Sequence, residues 1–387
     1  RAALLQDAVF RRGRLLGLAR RPLLLTLIAS LHAWRGGNLP EKRERLYADT
    51  VDLLLDFWEQ RRLRRDAKGN PVVLQPSIAE WLEADREQVR GVLETLACEA
   101  HASQPEVTGT ADISEDALVG ALLRLGGQGN PAELVRYLRE RAGLLLPRGN
   151  RAYTFPHRSF QEYLAACHLT GDDFPDEIAG LARRDPDRWR EVALLAGAKA
   201  ARGAGAAVWQ LVDALCYRGL PQAGRPAPED LWGALIAAQA LAETADLARV
   251  GEANRLKLER VKAWLLTILG SDALAARERA RAAELLARLG DDRFDEALYW
   301  LPKDPMAGFR EVPAGTFRIG SNERRDTLVL SAAPRHELNL PAFFLARWPV
   351  TLDQFRAFVD DSGYADAHRQ SRAGVGNSPV VYVTWHD

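Results

Sequence analysis

Cysteine is scarce in this chain: only Cys98, Cys167 and Cys216 occur in 387 residues. Their spacing fits neither a metal site nor a redox motif. Each stands in an apolar, helical context, which argues for buried thiols in a reducing compartment rather than a disulfide framework. A surplus of one charge is also missing, since Lys and Arg number 52 and Asp and Glu number 52. That balance supplies no field to draw in nucleic acid or an anionic membrane, and neither partner is expected. Long apolar runs are absent too. The longest, Pro22 to Trp34, carries Thr26, Ser30 and His32 and falls short of the ~20 residues of a membrane span. Buried thiols suit a reducing cytoplasm, and a cytoplasmic location is expected; no signal peptide is visible. The chain opens in mid-helix without a methionine and stops after a strand-like segment, so truncation at both ends is expected as well.

What is present is core-forming material. Hydrophobic residues make up 47% of the chain, which argues against wholesale disorder. From the start to about Trp58 the pattern is helical. Pro22 can open a helix without losing a backbone hydrogen bond. The Gly36-Gly37-Asn38 turn ends that helix, and after Pro40 the residues Leu46, Tyr47, Val51, Leu54, Phe57 and Trp58 recur at helical spacing. Basic clusters at Arg11-Arg12, Arg20-Arg21 and Arg61 to Arg65 read as solvated helix faces. Between Arg61 and Leu169, helices precede a small hairpin. Ser77 and Glu80 make a capping box, Asn130-Pro131 marks a helix start, and Leu144 to Leu146 and Tyr153 to Phe155 read as short strands.

The next stretch, from Asp172 to about Leu301, is rich in Ala, Leu and Arg. Helices are expected over Trp189 to Leu195, Leu231 to Ala242, Leu256 to Leu269 and Ala280 to Leu289, the last stopped by Gly290. Trp189, Trp209, Trp232 and Trp264 fall at packing positions. After a linker-like segment around Lys303 to Pro305 the alternation becomes strand-like over Val312 to Gly320 and His336 to Leu340. A short helix follows from Thr351, and Val380 to Val383 reads as a further strand.

One stretch suggests chemistry. Tyr153 to Ala166 reads as a strand turning into a helix capped by a Ser159–Glu162 box, with His157 two residues ahead of the cap. A helix N-terminus presents unpaired N–H groups and a partial positive charge, so an anion is favoured there, and an imidazole beside it could donate to a phosphate oxygen. A histidine that merely bonds a neighbouring carbonyl is the plain alternative, and residue type alone leaves both open.

The run His157-Arg158-Ser159-Phe160-Gln161-Glu162-Tyr163-Leu164-Ala165-Ala166 resembles the winged-helix signature of NACHT-type signalling NTPases, the STAND class of nucleotide switches. Arg21-Pro22-Leu23-Leu24-Leu25 resembles the segment whose proline packs on the nucleotide base, although arginine precedes Pro22 where asparagine is common. Leu39-Pro40 to Trp58 resembles the helix pair that follows. The resemblance spans about Arg1 to Leu169. It implies that His157 contacts the β-phosphate of ADP and that Pro22 lines the base. In that family, ADP keeps the molecule closed until ATP, with Mg²⁺, replaces it and permits homo-oligomerisation. The implied partner is the NTPase core of the same polypeptide, because no Gly-x-x-x-x-Gly-Lys-Ser/Thr loop occurs in this sequence.

A second resemblance covers about Phe309 to Asp387. Val312-Pro313-Ala314-Gly315-Thr316-Phe317-Arg318-Ile319-Gly320-Ser321, Pro334 to Leu338, Phe343-Phe344 to Thr351, and Pro379 to Trp385 are similar to the opening of a formylglycine-generating-enzyme (sulfatase-modifying factor) domain. Its fold is related to C-type lectins, and Ile319 stands where methionine is usual. Enzymes of this family use a copper-binding cysteine pair, while relatives hold non-haem iron through histidines. No cysteine follows Cys216, and His336, His368 and His386 show no ligand spacing, so no catalytic or metal-binding residue is assigned. The resemblance then implies a domain that binds an unknown ligand or protein.

The expected fold is mainly α: a helical lid over 1–60, a winged helix over 61–170 and a HEAT-like helical arm over 171–301. Over 309–387 follows an incomplete α+β domain of the formylglycine-generating-enzyme/C-type-lectin-like type. The expected function is nucleotide-gated signalling, with a place in defence and ligand sensing at the C-terminal domain. The rival is an oxidoreductase of the formylglycine-generating-enzyme or non-haem iron family acting on thiols, with the helices as scaffold. A winged helix reading DNA is disfavoured, because Arg136, Arg139 and Arg141 suit an ordinary solvated helix.

Overall fold

The computed structural model describes residues 22–40, 42–59, 62–65, 71–75, 77–106, 108–126, 130–140, 144–149, 151–220, 224–320, 334–365, 369–384 and 386, with backbone alone at 22–24, 57–59, 62–65 and 71–75. The fold is mainly α, with small antiparallel sheets. The chain divides into two compact units, Arg1–Trp264 and Leu265–Asp387.

The first unit opens with α1 (Pro22–Trp34) and α2 (Arg43–Glu59). Glycine ends α1 because the chain turns through positive φ at Gly36 and Gly37, and the Gly37 N–H reaches back 2.8 Å to the His32 carbonyl. Leu46, Tyr47, Val51, Leu54 and Leu55 form the buried stripe of α2. Of the Arg61–Arg65 cluster, expected on a helix face, Arg62–Arg65 form a strand instead, and Arg61 lies outside the described residues. β1 (Arg62–Arg65) pairs antiparallel with β2 (Pro71–Gln75), where Val72 and Val73 favour extended backbone and Pro71 sits at the strand start, needing no ladder donor.

The winged helix follows. It comprises α3 (Ile78–Leu82), α4 (Arg86–Ser103), β3 (Asp112–Ser114), α5 (Glu115–Leu123), α6 (Pro131–Glu140), β4 (Leu146–Pro147), β5 (Ala152–Thr154) and α7 (Arg158–His168). The Ser77–Glu80 capping box forms, with both reciprocal bonds made. The sheet order is β3-β5-β4. Helix α7 is buried at every position from Phe160 to Cys167, because α4 and α2 cover it together with α9 (Pro186–Gly203).

Beyond α7 the first unit continues through α8 (Asp176–Arg184), α9, α10 (Ala207–Leu215) and α11 (Pro228–Thr244). Two features lock this cluster. A Cβ at Gly233 would stand 2.2 Å from the Leu215 carbonyl oxygen, so only glycine permits the approach of α11 to α10. The buried Arg183 guanidinium donates 2.6 Å to that same oxygen and 2.5 Å to Asp230. The Trp264 indole is also buried and donates 2.8 Å to the Arg218 carbonyl.

The division between the units falls within α12 (Glu252–Leu269). The second unit continues through α13 (Ala276–Leu289), which stops at Gly290, φ 97°. Short strands β6 (Phe294–Asp295) and β7 (Leu301–Pro302) pair next. β8 (Phe309–Val312) pairs with β11 (Phe343–Ala346), and β9 (Gly315–Ile319) with β10 (His336–Leu340). Alternation gives the β9–β10 ribbon two faces: Phe317 opposite Leu338 on one, and Arg318 bonded 3.0 Å to Glu337 on the other. α14 (Leu352–Ser362) begins at a Thr351–Gln354 capping box and ends at Gly363. Val380–Val383, expected as a strand, forms none. After a single bridge between Thr351 and Pro379 and one bond from Val380 N–H to Val350 carbonyl, Tyr382 turns the chain at φ 60°. No described helix is long and apolar enough to cross a membrane.

Candidate functional site

His157 lies where the wing becomes a helix. Thr154 Oγ1 anchors the end of β5 by donating 3.1 Å to the Ala111 carbonyl, and Phe155 is buried. Pro156 keeps its predecessor extended. His157 itself is extended, φ −153° and ψ 146°, and is the N-cap of α7. Its Nδ1 accepts the Ser159 N–H at 3.1 Å, and its carbonyl accepts the Phe160 N–H at 3.0 Å. A backbone N–H can only donate, so Nδ1 is bare and the ring proton belongs to Nε2, which is a donor. The half-buried ring stands edge-on to Phe160, centroids 6.5 Å apart.

The Ser159–Glu162 capping box expected from the sequence is not made. The helix starts earlier because the imidazole caps it, and Glu162 instead takes the Arg158 guanidinium at 2.7 Å, one turn back. Burial pushes the Glu162 carboxyl upward, opposed by Arg158. The Ser159 and Phe160 N–H groups at the helix start are both engaged by His157, the first by its Nδ1 and the second by its carbonyl.

Pro22 is the first residue of α1, as the sequence reading has it, but what its ring touches lies outside the described residues. So do Arg11-Arg12, Arg20-Arg21, His368 and Trp385. Pro22 and His157 stand on elements connected through α2, which packs on both α1 and α7. The α2–α7 seam is aromatic: the Tyr47 ring lies 6.2 Å from that of Phe160 and 6.5 Å from that of Tyr163. Arg43, at the start of α2, reaches Glu191 at 2.7 Å and Glu243 at 3.5 Å. Burial would weaken the Arg43 proton affinity, but these carboxylates outweigh it and hold the guanidinium charged.

A network that the sequence reading did not find sits beneath the helix start. Gln161 is fully buried. Its Oε1 accepts the Ala111 N–H at 2.8 Å, and its Nε2 donates to His101 Nδ1 at 3.1 Å and to Gln104 Oε1 at 3.3 Å. His101 Nε2–H then donates 3.1 Å to the Arg188 carbonyl, with its ring edge-on to Trp189 at 5.0 Å. Arg188 answers by donating 2.7 Å to each of the His101 and Gln104 carbonyls at the end of α4. Burial lowers the His101 pKa to about 4, so the ring is neutral and fixed in one tautomer. The one signal in the sequence was a glutamine inside a helix otherwise made for burial.

Two cavities lie apart from the helix start. One, of about 630 Å³, lies among α2, α4 and α9 and is lined by Trp34 with four acidic and four basic side chains. Arg90 pairs with Asp52 at 2.6 Å and Glu94 at 2.8 Å, and Arg86 with Asp56 at 2.6 Å. The other, of about 510 Å³, belongs to the second unit. Among the described residues no cluster of three or more His, Cys, Asp or Glu is arranged to hold a metal. Cys167 and Cys216 are buried and Cys98 is half-buried, and burial pushes each thiol up to about 11. Such thiols are poor nucleophiles near neutral pH.

Residues 43–169 match the family model for the winged helix-turn-helix domain C-terminal to NACHT, a span that runs from α2 through α7 and includes His157. Residues 301–387 match the model for the sulfatase-modifying factor enzyme 1-like domain. No curated protein matches the chain. The capped helix behind a three-stranded wing, and the paired ribbons followed by α14, are therefore parts of two known domain types. The chain joins a NACHT-associated winged helix to a sulfatase-modifying-factor-like domain.

Proposed function

We propose that this chain is the regulatory part of a nucleotide-gated NACHT switch, with ligand sensing in the second unit, which carries the sulfatase-modifying-factor-like domain. The observation that carries the reading is the orientation of His157: Nδ1 is tied to the Ser159 N–H, so a protonated Nε2 is held in place at the start of a buried helix. That atom suits a phosphate oxygen. His157 would hold the diphosphate of ADP and Pro22 would line its base. The NTPase core of the same polypeptide would supply the phosphate-cradling loop and Mg²⁺. Bound nucleotide supplies the difference of one phosphate group between two states of the switch. A side chain that contacts one state better than the other shifts the equilibrium by that difference alone. His157 is coupled to the rest of the first unit because α7 is packed against α2, α4 and α9. Opening would then permit homo-oligomerisation in the cytoplasm, with a defence output downstream.

The test is His157→Ala in the polypeptide that carries the NTPase core. A hydrogen bond to a charged group contributes ~1.5–3 kcal/mol, so ADP affinity should fall about 10- to 100-fold and the oligomeric form should gain. Nucleotide retention through gel filtration and particle mass both report it. Unchanged retention with unchanged mass would remove His157 from the mechanism. The thiol-oxidase reading draws no support from this chain's cysteines, which all precede the second unit and are held protonated by burial.

A further inference from the structure

The cavity of about 510 Å³ in the second unit has no part in the nucleotide reading. Its floor is apolar, formed by Leu266 and Leu269 at the end of α12 with Gly270, Pro302 and the Trp348 indole. Its rim is cationic: Arg293, Lys303, Arg310 and Arg347 face one carboxylate, Asp304. In a chain with 52 residues of each sign, four against one is a local departure.

The partners of these groups divide them. Asp291 holds Arg293 at 2.6 and 2.9 Å. Asp304 reaches Arg310 at 3.3 Å, but it is mainly committed to the loop, accepting the Gly308 N–H at 2.7 Å and the Met306 N–H at 3.1 Å. Those backbone donors, Gly308 first, hold its carboxyl below the usual range and so keep it charged. Lys303 and Arg347 make no ion pair among the described residues, and the Arg347 guanidinium lies 4.8 Å from the Trp348 ring centroid. Their backbones are nonetheless fixed: Lys303 N–H bonds the Arg293 carbonyl and Arg347 N–H the Gly308 carbonyl, each at 2.9 Å. Gly308 sits at φ +86°, where a Cβ would approach Pro302 Cγ to 2.7 Å and Trp348 Cζ3 to 3.4 Å, so the floor is closely packed. Phe294 supports the indole edge-on at 6.2 Å.

An apolar floor with a supported indole suits a flat ring, and two cations without an ion pair among the described residues suit an anionic group at its edge. The volume lies in the range of about 300–1,000 Å³ that small-molecule sites occupy. We infer that this cavity binds a small organic anion, a flat ring bearing a phosphate or carboxylate, with the ring against Trp348 and the anionic group between Lys303 and Arg347. The inference gives the sensing role proposed for this unit a ligand class. It rests on that reading for its signalling consequence, while binding itself stands on the cavity.

Calorimetric titration of the full chain tests it with four probes. Adenosine 5′-monophosphate combines a ring with a phosphate and indole-3-acetate a ring with a carboxylate, whereas adenosine and inorganic phosphate each supply one half. At least one ring-bearing anion should bind one to one, about tenfold or more tighter than either half. Lys303→Gln and Arg347→Gln, both at exposed positions, should each weaken it about tenfold. Arg318→Gln, on the β9–β10 ribbon, should leave it unchanged. His157→Ala should also leave it unchanged, which separates failure here from failure of the nucleotide switch. Absence of saturable binding by both ring-bearing anions would overturn the inference. So would binding that survives both cavity substitutions, that is lost in His157→Ala, or that inorganic phosphate matches alone.

Discussion

Two cavities among the described residues use the same kinds of side chain to opposite effect. In the cavity beside α2 and α4, Arg86 and Arg90 find Asp56, Asp52 and Glu94 at 2.6–2.8 Å, and acidic and basic groups are equal in number. In the cavity of the second unit four cations face Asp304, whose carboxylate already serves the loop. Charges that neutralise one another join the helices carrying them. Charges left over are available to something from outside. Cavity size does not separate a joint from a receptor here, but the accounting of partners does.

The comparison can be pressed by removing partners. The largest effect is expected at Arg183–Asp230, the most buried ion pair among the described residues, which belongs with the joints. Asp230→Ala would strand a guanidinium under cover, and breaking such a pair costs ~3–5 kcal/mol. Chemical unfolding followed by helical signal would report it. A loss below ~1 kcal/mol would mean that mutual pairing is not what holds such groups.

His101 provides a paired site with no net charge. Its ring is neutral in the fold, with a pKa of about 4 against the ordinary 6.5. Above pH 6.5 neither state is protonated and this residue's contribution is complete. As pH falls from 6.5 to 4 the unfolded chain takes up a proton that the fold refuses, and ~3 kcal/mol is lost progressively. Below pH 4 both states are protonated and no further loss comes from this residue. An imidazole NMR titration with a midpoint near 6.5 would contradict it, as would a His101→Gln variant keeping the same slope of stability over that window.

Smaller effects give the sharpest contrast. Arg90→Ala breaks two partly exposed pairs and should cost ~1–2 kcal/mol. Arg347→Gln breaks no ion pair among the described residues and should change stability by less than ~0.5 kcal/mol while weakening the anion. Equal destabilisation by the two would erase the distinction between joint and receptor.

Features that close within a few residues were legible in the sequence. The Ser77–Glu80 box, the Thr351 helix start and the Gly290 stop all depend on neighbours in sequence, and all appear. The Ser159–Glu162 pattern misled because the same letters allow two outcomes: with Arg158 four residues before Glu162 and His157 able to cap, the ion pair won. β3 was missed because three residues are too few to show a period, and it exists only through its partner β5. The histidine at the helix start was legible as a candidate, but which nitrogen bears the proton was not. The Gln161–His101–Arg188 chain joins three segments far apart in sequence, and Arg347 meets the Arg293–Lys303 hairpin from a distant segment, so no local pattern announces either.

Tyr47 has a mechanical meaning. Its ring is wedged between Phe160 and Tyr163, and all three are sealed from water. Prising the second helix from the seventh would wet three aromatic faces at a cost of several kcal/mol. These two helices therefore travel as one piece, and any large swing of this protein must pivot somewhere other than along that seam.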